Sequence, residues 1–174
     1  MKKRGVAEIL KDAEGSATME FAILAPILFL LLLAIFELAQ TVFVQSVLDG
    51  AARDAGRLIR TGQLQTSGDP EAAFRTQLCA TMSTLVSCSD LIFDVASFGD
   101  WASAQTALAA PIERDENGNL ATPSFSAGLA GSIIAVRVTY NRSFVSSLVQ
   151  QYFGGSAFLM STVIFQNEPF GSAS

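Results

Sequence analysis

The side chains that could do chemistry in this sequence are a carboxylate before a long apolar run, two nearby cysteines and an acidic loop. Glu20 follows Gly15 by five residues and stands directly before Phe21–Phe36, sixteen residues without a charge. A charged side chain in a bilayer costs about 2.5–3.5 kcal/mol or more, so a carboxylate there needs a partner or a polar surface. Glu20 therefore either pairs with a positive group or stabilises a helix N-terminus at the membrane surface. Glu37 is the second such carboxylate, seventeen positions further on and some 25 Å up a helix at ~1.5 Å per residue. It reads either as an interface residue with its head in water or as a subunit contact, for example with Arg53 of another chain.

Cys79 and Cys88 are nine positions apart and are the chain's two cysteines. Without His or further Cys they cannot close a structural zinc site. In an oxidising compartment they form a short-loop disulfide; otherwise they are two separate thiols. The loop holding Glu113, Asp115, Glu116, Asn117 and Asn119 lacks the calcium-loop order, since Gly118 falls too early and no terminal Glu follows. It reads as a solvated turn, and no metal or other cofactor is expected. The chain has no His, which removes the commonest general base. With no G-x-S-x-G or S-x-x-K motif either, no nucleophile constellation is present and the chain is not read as an enzyme. The formal charge of −5 and scattered basic residues speak against nucleic-acid binding.

The elements that carry these residues follow from periodicity. The run through Ala39 is about nineteen residues, close to the roughly 20 needed to span a bilayer. Lys2, Lys3, Arg4 and Lys11 precede it, and Arg53, Arg57 and Arg60 follow among Asp49 and Asp54. This weak asymmetry favours a cytoplasmic N-terminus. The run contains Pro26 and reaches FELAQ with no clear A-x-A site, unlike an ordinary secretory signal. Beyond it, Val44, Val47, Leu48, Ala51, Ala55, Leu58 and Ile59 recur at three- and four-residue spacing. The same helix thus continues as an amphipathic one to about residue 60. Asp69-Pro70-Glu71 predicts the start of a second helix. Residues 91–98, 132–140 and 158–165 read as strands, and 144–153 as a short helix. The expected organisation is residues 1–15 as a leader, 16–40 as a transmembrane helix, 41–62 as its amphipathic extension and 63–174 as an α+β domain. That domain should hold a helix and about three antiparallel strands, a pilin-like fold class.

Gly15, then Ser-Ala-Thr-Met, then Glu20-Phe21 and an apolar helix resemble the class III leader of type IV pilins and pseudopilins. In the G-x-x-x-x-E-F form, they resemble the TadE/TadF minor pilins of the tight-adherence (Tad/Flp) system. FELAQ, VLDGAARDAGRLIRTGQ, FRTQLCATMSTLVSCSDLIFDVASF and STVIFQNEPF extend the resemblance, which is weakest at about 100–130. The resemblance implies insertion in the inner membrane with a periplasmic C-terminal domain, and cleavage by a prepilin peptidase between Gly15 and Ser16. Cleavage would remove four basic and three acidic residues, leaving seven basic against thirteen acidic, a charge of −6. It also implies that Glu20, beside Phe21, pairs with the new α-amine of Ser16 on a neighbouring subunit and sets assembly register. The implied partners are the peptidase, sibling minor pilins, the major Flp pilin, the membrane assembly platform and lipid. The alternative is an uncleaved membrane-tethered periplasmic binding or scaffold module that enters no filament.

Overall fold

The computed structural model describes residues 16–116 and 120–170. Gly15, the expected leader and the Asn117-Gly118 turn lie outside the described residues. The chain divides into two compact units, residues 1–39 and 40–174. The first helix, α1, runs Ser16–Arg60 and contributes to both. Its first part is apolar and exposed on nearly every side, from Met19 to Leu38. It is long and apolar enough to cross a membrane. Pro26 lies inside it.

In the second unit the amphipathic pattern of α1 becomes the core. Leu48, Ala51, Ala52, Ala55 and Ile59 are fully buried, while Arg53, Asp54, Arg57 and Arg60 face out. Three alanines on the buried stripe let the helix approach the sheet closely, and Gly56 carries this furthest. A Cβ there would stand 3.0 Å from the Phe165 ring. Arg57 and Arg60 in the last turn complement the negative end of the helix dipole.

The sheet has three antiparallel strands in the order β1-β2-β3: Leu91–Phe98, Ile133–Ser143 and Ser156–Gln166. β1 spans the residues expected from the sequence. β2 and β3 extend further, because their ladder runs without a break from Ile133↔Gln166 to Ser143↔Ser156. On one face Phe93, Val95, Val136, Val138 and Leu159 join the α1 stripe in a single core.

Helix α2, Pro70–Met82, starts where expected: the Asp69 carboxylate accepts from the Ala72 N–H at 3.0 Å, and Pro70 opens the first turn. Its Phe74, Leu78 and Met82 are buried. Phe74 meets Phe93 at 5.0 Å and Phe125 at 5.7 Å between ring centroids. Aromatic pairs at this spacing add about 0.5–1.5 kcal/mol beyond area burial. A third helix, α3, Trp101–Ala109, falls where the sequence reading placed no element, and it contacts β1 and β2. Helix α4, Ser147–Phe153, links β2 to β3, starting three residues later than expected. Its N-cap is Ser146, whose hydroxyl accepts from the Val149 N–H.

Candidate assembly surface and the ties of the C-terminal unit

Ser16 is the first residue of α1. Glu20 follows on the next turn and is exposed; Phe21 beside it is 62% exposed. Phe21, Leu24 and Leu28 recur at helical spacing, so the carboxylate stands at the head of an apolar stripe in the exposed segment. That arrangement can bind lipid or other apolar helices. A second charge beside it is favoured wherever water is excluded, because an unpaired carboxylate is destabilised there.

Glu37 differs from the reading that put its head in water: it is 3% exposed. Counting back from Val44 by three and then four residues reaches Glu37, so the spacing that marks the amphipathic stretch, carried further back, puts it on the same stripe. In the second unit, Arg142 on β2 is 7% exposed. Its Nη1 donates to Thr41 Oγ1 at 2.7 Å and its Nη2 to Gln40 Oε1 at 2.6 Å. The planar guanidinium suits this two-pronged contact, since it offers donors in a fixed fork. Sequence reasoning missed Arg142. It lies two residues past the 132–140 strand read from the sequence, in the part by which β2 extends further. Gln45 makes a further tie between helix and sheet, donating to Met160 O at 3.0 Å and to Asp49 Oδ1 at 3.1 Å.

Cys79 in α2 and Cys88 in the following 3-10 turn are joined by a disulfide, with Cα atoms 5.6 Å apart. The bond ties the helix to the segment that leads into β1. The C-terminal residues form a second tie. Asn167 is buried and donates from Nδ2 to Ala127 O and Leu129 O, both at 3.0 Å. Glu168 donates its N–H to Arg60 O at 2.9 Å, which satisfies a carbonyl that the helix end leaves open.

Residues 15–57 match the TadE family model, described as TadE-like protein. Over these residues, less than half of the chain, the sequence is similar to TadE-like proteins. The TadE-like segment begins at Gly15, holds Glu20, Phe21 and Glu37, and ends three residues before the end of α1. It thus covers the exposed apolar stretch and most of the core-forming stripe, while the disulfide, the sheet and the C-terminal tie lie beyond it. No curated protein and no solved structure matches the chain.

Proposed function

We propose that this chain is a minor pilin (pseudopilin) that takes part in assembling or priming a Tad/Flp-type adhesive pilus. The observation that carries this reading is the TadE-like match, which starts at Gly15 and takes in Glu20 and the apolar helix that follows. In this reading residues 16–40 cross the inner membrane, with the N-terminus cytoplasmic and the C-terminal unit periplasmic. The Cys79–Cys88 disulfide agrees with an oxidising compartment. A prepilin peptidase cuts between Gly15 and Ser16 and frees an α-amine. Glu20 of one subunit pairs with that amine on the next, which sets opposite charges together in an apolar setting and fixes how far neighbouring helices slide. The role is structural rather than enzymatic. Sibling minor pilins, the major Flp pilin and the assembly platform are the partners.

The decisive test is the intact mass and N-terminal sequence of the protein recovered from host membranes, together with piliation of a Glu20→Ala strain. A chain starting at Ser16, with piliation lost and membrane insertion kept in the variant, supports the reading. A chain starting at Met1 favours the tethered module, and normal piliation without Glu20 removes its assembly role.

A further inference from the structure

Within the C-terminal unit, β3 runs alongside α1. Gln45 donates to Met160 O at 3.0 Å, and the Glu168 N–H donates to Arg60 O at 2.9 Å. The step from Met160 to Glu168 is about 26 Å of strand and that from Gln45 to Arg60 about 22 Å of helix, so the two elements keep level. Going back from Met160 to Ser156, where β3 begins, covers about 13 Å, further than the roughly 8 Å from Gln45 back to Gln40. The end of the β2–β3 hairpin therefore reaches the level at which α1 enters this unit. It projects beyond the rest of the sheet there. β1 stops at the Leu91↔Tyr140 pair, while the β2–β3 ladder continues through Asn141↔Phe158, Arg142↔Ala157 and Ser143↔Ser156. Arg142, in that extension, holds Gln40 and Thr41.

The loop that closes this end has a composition of its own. No charged residue stands between Arg142 and Glu168 in the sequence. Val145 is 78% exposed, and Leu148, three positions on, is 48% exposed. The polar backbone of the loop is meanwhile occupied from within. The Phe144 N–H donates to Gly155 O, the Gly154 and Gly155 N–H groups donate to Gln150 O, and the Val149 N–H donates to the Ser146 hydroxyl. The Gln150 side chain donates to Phe144 O. Exposed apolar side chains on a loop that satisfies its own backbone suit poorly hydrated surroundings, where an open backbone group is costly. Single exposed apolar residues are ordinary on any surface; what sets this pair apart is the end of the unit that it occupies.

We propose that the β2–α4 loop, through Val145 and Leu148, is a second membrane contact that enters the surface of the bilayer crossed by α1. This rests on the reading that residues 16–40 span the membrane. Gln40 is then both the last residue of the span and the first of the unit, so the end of the unit beside Gln40 stands at the lipid surface. The opposite end supplies the contrast. Leu129 is also 78% exposed, but its carbonyl accepts from Asn167, next to the contact between Glu168 and Arg60. That places it about 30 Å along α1 from Gln40. At the hairpin end, Arg114 stacks on the Phe158 ring, 3.7 Å from its centroid, and its chain neighbours include Glu113, Asp115 and Glu116. The charges there are of both signs with an acidic excess, so the attraction to lipid is apolar rather than electrostatic. A unit tethered by one helix can turn about it, and a second point of contact with lipid stops that turning.

The test uses the full-length protein in phosphatidylcholine nanodiscs, with the Cys79–Cys88 disulfide intact and one added cysteine carrying a fluorophore. Quenching by brominated lipid and by aqueous iodide is compared for labels at Ser147→Cys, Leu129→Cys and Ile27→Cys. The expected result is a Ser147 label quenched by lipid and shielded from iodide, a Leu129 label that behaves in the opposite way, and an Ile27 label in lipid. Adding Val145→Asp/Leu148→Asp should lower lipid quenching at Ser147 to the level seen at Leu129. Both side chains are exposed, so circular dichroism should not change. A Ser147 label in water with the Ile27 label in lipid would overturn this contact and leave the membrane-spanning reading intact. An Ile27 label in water would overturn both. Lipid quenching at Ser147 that survives the double substitution, or that appears only when anionic phosphatidylglycerol is present, would also overturn the proposal.

Discussion

Glu168 meets Arg60 twice: its N–H donates to the Arg60 carbonyl at 2.9 Å, and its carboxylate lies 3.3 Å from Arg60 Nε. The two contacts differ in worth. The ion pair is between exposed side chains, where such pairs contribute about 0–1 kcal/mol, while the backbone bond survives any side-chain change. Glu168→Ala should therefore shift the denaturant midpoint only slightly. Asn167→Ala should cost about 1–3 kcal/mol, because the bonds to Ala127 O and Leu129 O go and buried acceptors lose a donor. Urea unfolding of both variants checks the order; equal losses would mean that the tail is held by charge.

Gly62 follows α1 with φ of +78°, and a Cβ there would lie 2.5 Å from Cγ of Phe170. Gly62→Ala thus meets both a backbone penalty of about 1–2 kcal/mol and a ring in the way. The double variant Gly62→Ala/Phe170→Ala removes the clash but not the backbone penalty. Melting temperatures of the two single variants and the double should show non-additivity, with the double variant less destabilised than the sum. Strict additivity would separate the tail from this turn.

The Cys79–Cys88 disulfide closes a loop of nine residues. Chain-entropy arguments give about 2.5 kcal/mol for a loop of this size. Cys79→Ser/Cys88→Ser should lower the stability of the C-terminal unit by that order, and a reducing agent should do the same to the wild type but not to the variant. Equal stability with and without reductant would show that α2 and its exit hold together by packing alone.

The parts of this fold that were legible in the sequence are those governed by local rules. The α1 stripe follows the 3.6-residue period, Asp69-Pro70 names a helix start, and Leu91–Phe98 has the β-branched and aromatic character of a strand. Glu20 stood out because a charge before an apolar run has a known cost. What stayed hidden depends on long-range partners. The grip of Arg142 on Gln40 and Thr41, about a hundred positions away, leaves no periodic trace. Helix α3 was missed because WASAQTALA is rich in small residues and shows no wide apolar stripe, although Asp100 before it and Pro111 after it are ordinary boundary signals.

Asp100 caps α3, and its carboxylate accepts the Ser103 N–H at 2.8 Å. This backbone hydrogen bond is the main reason that its pKa lies below the ordinary 3.8; slight desolvation opposes it, and the Ser103 hydroxyl adds to it. A carboxyl group with a folded-state pKa below the unfolded one adds stability at pH above the unfolded value, and loses it as pH falls through the folded one. Asp100→Asn should keep the cap while removing that dependence. Melting curves from pH 6 down to about pH 2 should therefore converge for wild type and Asp100→Asn at the acid end. A constant gap between them would assign the acid loss to other carboxylates.

Arg142 offers the sharpest test of how β2 is tied to α1. Two of its hydrogen bonds end on neutral side-chain oxygens, Thr41 Oγ1 and Gln40 Oε1, so part of their value is geometric. Arg142→Lys keeps the charge but cannot reach both oxygens from a single ammonium in the same fork. Arg142→Met keeps the apolar stem and leaves both oxygens without this donor. Loss of a buried donor to such groups costs about 1–3 kcal/mol. The expected order of stability is wild type, then lysine, then methionine, with faster amide exchange at residues 41–45 in both variants. Lysine as stable as wild type would mean that the positive charge, rather than the fork, holds this end of the helix to the sheet.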